Sequence, residues 1–574
     1  MELQSNIEVI VAIDFGSTFT KVQHTISTSQ AVADDQPTVR PCTFEHHSGA
    51  RGSTTVPSVI QYGRSGDIVG WGLDPIVEGA VEIKGIKLCL PHEDDRVVNP
   101  TMYPVTADSI QRRNALGKTV LTVLTDFMTR LWQVCKPQII NHEPGVSWRL
   151  IITHPVGWNI EKLEQAIDIA IVTPDQDNSA YTICFQSESE AALMAELANQ
   201  GIQLAHNGNR QPQGSRHHPT DQETHIQDGE VVIVADLGGL TVDIASTRVN
   251  TQTGNTSAVP QVMPTSSFYG ASLLSDAFMN LLQEKARMLL RTPPTSDWFH
   301  RALRRWEQDI FPTLIEGGCS DLSFDMAPEA FKDGARITHH QWAKDGKFPI
   351  HPMELQSIID FHIDKTIVDI EKQIKKLRTS GYPANYLFLT GGFGQGRYTR
   401  LCVDRFAATC GLRFNHETAS SGMMAVSRGA ALYGRYLLLA NRMGPAGQNS
   451  DISIFIGHDP VNHIILVRKG ELMPQRTFKR IPIKGYLMQS CFQRDNGSYT
   501  LDVYSASVEG TFASNACLIW QPFQREVRSD EVCVLEIRIH GESDEGSLMS
   551  FIHNAYVAIF VNGVKQGRAY LTHR

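Results

Sequence analysis

The sequence predicts an α/β protein that has two lobes and a small C-terminal all-β domain. Apolar runs rich in β-branched residues occupy 9–13, 230–235 and 386–390, and each ends in a glycine-containing turn, as buried strands of α/β proteins do. Between these runs, apolar residues recur at helical spacing. After residue 450 the pattern changes to alternation with period two, which is typical of half-buried strands.

Composition excludes several classes of protein. Of the 574 residues, 41% are hydrophobic and 20% are charged, so the chain as a whole is not disordered. The formal net charge of −9 argues against a general nucleic-acid binder, which would be basic. No run approaches the roughly 18 apolar residues of a membrane span. The ten cysteines are scattered without zinc spacing, which favours reduced thiols and a cytoplasmic or nuclear protein.

The first lobe is predicted to occupy residues 1–228. Its strand at 9–13 ends at Asp14, and a second strand at 20–25 would return as a hairpin. The elements expected next are a helix at 116–134, a strand at 149–153 and a helix at 160–171. Residues from about 200 to 228 are polar and hold several Gly, Pro, Gln and His residues, so they predict a long surface insertion.

The second lobe is predicted to occupy residues 229–440. Its expected elements are strands at 230–235 and 386–390 and helices at 273–290, 355–377 and 425–438. Residues 441–450 then predict a linker, because Gly, Pro, Ala, Gln, Asn and Ser dominate them. Hairpin-turn signals at 495–497 and 562–563 support a β-rich domain at 451–574.

Two of the glycine-containing turns begin with an aspartate. Residues 14–18 read Asp-Phe-Gly-Ser-Thr, and residues 236–243 read Asp-Leu-Gly-Gly-Leu-Thr-Val-Asp. Glycines let backbone amides approach phosphate oxygens closely, and such amides form an anion nest. The carboxylates at the strand ends suit Mg²⁺, which prefers oxygen ligands and keeps several waters. The pair predicts a site for a nucleotide phosphate tail and its magnesium.

The third turn, at residues 390–397, reads Thr-Gly-Gly-Phe-Gly-Gln-Gly-Arg and has no acid. We assign it to the nucleoside end, where the backbone must lie flat against base and ribose. The chain has no Gly-x-x-x-x-Gly-Lys-Ser/Thr motif, so it is not a P-loop protein. No Gly-x-Gly-x-x-Gly opens a βαβ unit, which disfavours a Rossmann fold.

These motifs resemble the actin, sugar-kinase and Hsp70 ATPase superfamily. The segments that carry the resemblance come in the family's order, at residues 13–18, 56–58, 152–158, 187–192, 236–243, 389–393 and 425–433. They are most similar to Hsp70, and within it to the divergent Hsp70-12 type that is numerous in fungi. The resemblance implies a two-lobed actin-like ATPase with ribonuclease H-like lobes, which binds ATP or ADP with Mg²⁺.

The resemblance also implies catalytic roles. Asp14 and Asp236 would hold the magnesium through water. Glu188 would position the attacking water, and Asp243 would support this network. Lys87 matches the family's phosphate-contacting lysine, and Lys84 is the alternative.

The remaining implied roles concern nucleotide contacts. Backbone and hydroxyl groups would contact the phosphates, and the third turn would lie along the adenosine. The residues given these roles are Gly16, Ser17, Thr18, Gly238, Gly239, Thr241, Gly270, Gly391, Gly392 and Arg397. Gly270 matches the glycine of the crossover into the second lobe.

Several departures from the family's pattern bear on function. Leu240 stands where the family has a third glycine, and Ser189 replaces a proline. The helix that carries Glu307 lacks the usual lysine one turn later. The linker has no leucine, so coupling to a J-protein is not expected. The implied role is a slow ATPase with a chaperone-like or nucleotide-switched interaction with protein partners; the alternatives are a non-hydrolysing interaction module, a small-molecule kinase and a filament-forming actin relative.

Overall fold

A computed structural model describes most of the chain before residue 444 and the strands that follow. The described residues are 7–28, 38–45, 52–90, 104–140, 146–156, 158–172, 180–200, 226–239, 241–250, 255–258, 262–267, 269–316, 322–332, 341, 344–414, 423–443, 453–457, 463–467, 476–484, 493–495, 498–500, 502–506, 513–520, 532–540, 555–561 and 564–573. Leu240, residues 201–225 of the predicted insertion and residues 444–450 of the predicted linker lie outside them.

The first part of the chain builds a mixed α/β unit. Its strands are β1 (Ile7–Phe15), β2 (Phe19–Thr28), β3 (Arg40–Pro41), β4 (Val56–Pro57), β5 (Ile60–Tyr62), β6 (Ile68–Trp71), β7 (Val81–Ile83), β8 (Val146–His154) and β9 (Ala180–Ser187). Its helices are α1 (Pro104–Ala115), α2 (Val120–Ile139), α3 (Glu161–Ile167) and α4 (Glu188–Asn199). The main sheet has the order β3-β2-β1-β8-β9, in which β1 is antiparallel to β2 and parallel to β8.

The second part repeats this strand pattern. Its strands are β10 (Val231–Leu237), β11 (Val242–Asn250), β12 (Asn255–Ala258), β13 (Thr265–Ser267), β14 (Leu322–Asp325), β15 (Lys347–Ile350), β16 (Tyr386–Thr390) and β17 (Arg413–Phe414). Its helices are α5 (Ser272–Leu289), α6 (Ser296–Arg305), α7 (Phe311–Ile315), α8 (Pro352–Thr379), α9 (Arg397–Cys410) and α10 (Ala425–Met443). The order β12-β11-β10-β16-β17 again places a central strand between an antiparallel hairpin partner and a parallel neighbour.

The C-terminal elements in the described residues are strands, as the period-two pattern predicts. They are β18 (Ser453–Gly457), β19 (His463–Val467), β20 (Arg476–Lys484), β21 (Gln493–Asp495), β22 (Ser498–Thr500), β23 (Asp502–Ala506), β24 (Ala513–Trp520), β25 (Val532–His540), β26 (Ala555–Val561) and β27 (Val564–His573). The pairs β21–β22 and β26–β27 flank the two predicted hairpin turns. Strand β20 pairs antiparallel with β9, with Thr477 opposite Cys184, so the first sheet continues into the C-terminal region. The sequence alone did not predict this pairing.

Three apolar clusters form the core of the described residues before 444. The first lies between the first sheet and helices α2 and α3, and the second lies between the second sheet and helices α5 and α8. The third joins the two sheets through helices α4 and α10. The two helices touch at backbone distance, because a Cβ added to Gly429 would lie 1.6 Å from the Ala191 carbonyl oxygen.

The largest differences from the predicted helices are at α2 and α10. Helix α10, expected at 425–438, runs to Met443, so residues 441–443 of the predicted linker are helical. The helix expected at 116–134 begins only at Val120 and continues to Ile139. Gly117 has a φ of 64°, a left-handed conformation that ends a helical path, and the Thr119 side chain accepts a hydrogen bond from the Thr122 amide to cap the new helix. No helix among the described residues has the length and apolar character to cross a bilayer.

Candidate functional site

The first glycine turn connects β1 and β2. The hairpin register places Asp14 opposite Lys21, and Asp14 is the last residue but one of β1. The Ser58 hydroxyl donates to the Gly16 carbonyl oxygen at 2.6 Å, which fixes the turn against the segment that follows β4. A Cβ at Gly16 would lie 2.1 Å from the Phe19 carbonyl oxygen. Only glycine therefore fits this tight turn.

The second glycine turn lies directly against the first. The Gly238 amide donates to the Thr241 carbonyl oxygen at 2.9 Å and closes the turn after β10. A Cβ added to Gly239 would lie 1.9 Å from Thr18 Oγ1 and 2.9 Å from Ser17 Oγ. The two predicted phosphate turns, whose aspartates are 236 − 14 = 222 residues apart in the chain, thus meet at their glycine and hydroxyl groups.

The third glycine turn packs on the second. Gly391 has a φ of 84°, and a Cβ there would lie 2.3 Å from Asp236 Oδ1. The neighbouring Gly392 faces open space, since a Cβ added there would have no described protein atom within 4 Å beyond its own chain neighbours. Arg397 is exposed at the first residue of α9. Gly270 is buried at the start of α5, where the next amide, that of Ala271, donates to the Gly238 carbonyl oxygen at 3.1 Å.

Four buried carboxylates gather at the ends of β1, β9, β10 and at the start of β11. They are Asp14, Glu188, Asp236 and Asp243, which are at most 6% exposed. Burial, together with the charges of Asp14 and Asp243, raises the pKa of Glu188 to about 7, although the Lys87 ammonium acts to lower it. Burial and the neighbouring carboxylates also hold the pKa of Asp236 well above its usual range. The cluster therefore favours a cation.

Two lysines face this cluster. Lys21 Nζ lies 2.9 Å from Asp14 Oδ2. Burial acts to lower the pKa of Lys21, but the carboxylates of Asp14, Asp236 and Glu188 outweigh this effect and raise the pKa above its usual value. Buried Lys87, on the 3-10 turn Ile86–Cys89, donates to Glu188 Oε1.

Lys84, the alternative to Lys87 as a phosphate ligand, points elsewhere. Its Nζ lies 3.3 Å from Glu82 Oε2 and 3.7 Å from Glu307 Oε2, outside the buried cluster. The structure thus separates the two lysines by position, and Lys87 is the one beside the carboxylates.

The donor set suits a hydrated magnesium ion. All four acidic side chains offer oxygen, the element that Mg²⁺ prefers. Asp243 Oδ1 is buried and has no hydrogen-bond partner among the residues that the structure describes. Burial raises the pKa of this carboxyl, and hydrogen bonds from Ser266 and Thr241 act to lower it. Within the described part of the chain, no three His, Cys, Asp or Glu side chains are close enough to hold one metal ion directly. A metal here would be held mainly through its waters, as the resemblance implies.

Three residues of this site do not follow from the motifs alone. Lys21 lies on the second strand of the expected hairpin, opposite Asp14, so the hairpin pattern is the signal that could have identified it. The Thr153 hydroxyl donates to Asp14 Oδ1 at 3.4 Å, and the Ser58 hydroxyl holds the first turn. These two residues lie in the segments 56–58 and 152–158 that carry the resemblance, but their contacts with the first turn follow only from the tertiary fold.

Comparison with known proteins adds nothing to this geometry. A scan of the chain against protein-family models found no family that matches, and a search of curated proteins found no matching sequence.

Proposed function

We propose that the chain is a two-lobed, actin-like protein of Hsp70 type that binds ATP or ADP with Mg²⁺ and hydrolyses ATP slowly. In this proposal, hydrolysis switches a chaperone-like interaction with protein partners. The single observation that carries the proposal is the meeting of the two aspartate-bearing glycine turns, with Gly239 against Thr18. Two turns that each suit phosphate, placed face to face beside four buried acids, are what a triphosphate with magnesium requires.

The chain's own groups suggest how the nucleotide would be held. Amides of the turns at 16–18 and 238–239 would donate to phosphate oxygens, and Lys21 and Lys87 would add positive charge. Asp14 and Asp236 would hold the waters of the magnesium ion. When bound, that ion neutralises charge on the β- and γ-phosphates. The open space beside Gly392 would receive the nucleoside.

Glu188 is the group best suited to act on the attacking water. A general base works best when its pKa lies near the operating pH, and the pKa of Glu188 is raised to about 7. Its partner Lys87 fixes the carboxylate in place. The charge of Asp243 contributes to the negative field that raises the pKa of Glu188.

A non-hydrolysing interaction module is the second candidate. The observation that favours it is the direct ion pair between Lys87 and Glu188. Glu188 would have to release this lysine before it could take a proton from water, which would slow turnover while nucleotide binding persists. A small-molecule kinase on the same fold would instead show turnover that depends on an added acceptor.

The test is a titration of the full chain with ATP and Mg²⁺ by calorimetry and by thermal unfolding. Binding should raise the unfolding midpoint by mass action. Gly392→Trp should abolish the shift without changing the midpoint of the free protein, because the added side chain enters open space. Asp236→Asn should weaken binding, and Asp67→Asn, which removes an exposed carboxylate far along the chain, is its control.

The outcomes separate the candidate functions. Phosphate release without an acceptor supports hydrolysis, and binding without release supports the interaction module. No heat of binding and no midpoint shift at millimolar ATP and Mg²⁺ would overturn the nucleotide-binding proposal.

A further inference from the structure

Two buried cysteines and a histidine meet at the edge of the first sheet. Cys42 follows the edge strand β3, Cys135 lies on α2, and His24 lies on β2. Cys42 Sγ is 3.9 Å from His24 Nδ1, and the Cys135 thiol lies within hydrogen-bonding reach of Cys42. Both cysteines are free thiols in the first core cluster.

The backbone at Cys42 and Thr43 is held from both sides. Its amide donates to the Val22 carbonyl oxygen of β2 at 2.9 Å. On the other side, Gln138 of α2 accepts from the Thr43 amide at 2.8 Å and donates to the Thr43 carbonyl oxygen at 2.7 Å. The thiol is therefore kept between the sheet edge and the helix, facing the second thiol.

The position of His24 distinguishes the two thiols, because its ring lies beside Cys42. Hydrogen bonding from Cys135 and His24 lowers the pKa of the Cys42 thiol to about 6, although burial acts to raise it. The same pairing and burial raise the pKa of Cys135 well above its usual value. With an imidazole beside it to take its proton, Cys42 is suited to be the nucleophile, and its neighbour Cys135 is suited to be the resolving cysteine.

We propose that Cys42 and Cys135 are a peroxide-sensitive dithiol that closes to an intramolecular disulfide. The Cys42 proton passes to His24, and the thiolate attacks one peroxide oxygen, which breaks the O–O bond and forms a sulfenic acid. The departing oxygen takes a proton and leaves as water. Cys135 sulfur then attacks the Cys42 sulfur, and the sulfenic hydroxyl leaves as a second water. Overall, two thiols are oxidised and one hydrogen peroxide is reduced to two waters.

Access to the pair comes from opening of the sheet edge. Strand β3 is only two residues long, and edge segments of this kind open at lower free energy than core strands. The disulfide would covalently join this edge to α2, the helix that packs against the turn carrying Lys87. The inference does not depend on nucleotide binding.

The test treats the full chain with hydrogen peroxide, blocks the remaining thiols under denaturing conditions and maps disulfides by mass spectrometry. A Cys42–Cys135 peptide is expected, and the oxidised protein should unfold at a higher temperature until dithiothreitol reverses the change. In Cys135→Ala, Cys42 should be trapped as a sulfenic acid adduct of dimedone. His24→Gln should slow the reaction by at least about tenfold.

Two other cysteines provide controls. Cys184→Ala removes a buried thiol from a different core cluster and should leave the disulfide unchanged. Cys410 is partly exposed on α9 and reports oxidation of an ordinary thiol in the same sample. If Cys42 stays reduced under conditions that oxidise Cys410, or if it pairs with a thiol other than Cys135, the proposal is wrong.

Discussion

Replacing Glu188 by glutamine should change how stability depends on pH. The pKa of Glu188 rises from its usual 4.5 to about 7 in the folded chain. A carboxyl whose pKa is raised by folding contributes stability below pH 4.5, and this contribution is lost as the pH rises through 7. At about 1.4 kcal/mol per tenfold change in proton affinity, the loss amounts to about 3 kcal/mol.

Glu188→Gln removes this loss because the amide does not ionise. In urea melts without nucleotide or magnesium, the free energy of unfolding of the wild-type protein should fall by about 3 kcal/mol more than that of the variant between about pH 5 and 8. The difference in free energy of unfolding between the two proteins should be at least this large, because the charge of Glu188 also raises the pKa of Asp236. At the upper end of this pH range the variant should be the more stable protein while its ATP turnover is lost.

The control is Glu190→Gln, which removes an exposed carboxylate from the same helical turn. Wild-type and Glu188→Gln profiles that stay parallel across the same pH range would refute the reasoning, because they would mean that Glu188 does not hold its proton in the folded chain.

Three further predictions concern packing and a buried histidine. Gly239→Ala should destabilise the chain by about 1–3 kcal/mol through its clash with Thr18, and adding Thr18→Ala should recover at least about 1 kcal/mol in a double-mutant cycle. Gly429→Ala should lower the free energy of unfolding by at least about 3 kcal/mol in denaturant melts, because the atom nearest to the added methyl group belongs to the backbone of Ala191. Gly434→Ala should lower it by less, since the nearest atom there is a methyl group of Ile10, which can move. Burial lowers the pKa of His362 to about 4. The free energy of unfolding should therefore fall by about 3 kcal/mol as the pH falls from 6.5 to 4, and His362→Gln should remove this dependence on pH.

The local parts of the site were predictable from the sequence. The run at 9–13 predicts a buried strand, and the Asp and Gly that follow predict where it turns. The same hairpin register that places Asp14 opposite Lys21 could be counted from the turn length, so the ion pair was within reach of sequence reasoning. The side-chain chemistry of these residues follows directly from their types.

The long-range parts were not predictable. Ser58 and Thr153 act on the first turn only because tertiary packing brings their segments to it. The choice between Lys84 and Lys87 depends on the local path of the backbone, which directs Lys87, on the Ile86–Cys89 turn, toward Glu188, and their close spacing in the sequence cannot decide that. The start of helix α2 was predicted too early because the spacing of apolar residues does not reveal that Gly117 has a left-handed backbone conformation.

The pairing of β20 with β9 has a practical consequence for any shortened form of this protein. Strand β9 ends at Ser187, immediately before Glu188, and β20 supplies the hydrogen-bond partners along its outer edge. Cutting the chain at the predicted linker would leave that edge bare, and unpaired strand edges recruit other chains. A fragment that stops near residue 440 would therefore tend to self-associate through the very strand that delivers Glu188, and its enzymology would report on that aggregate rather than on the intact site.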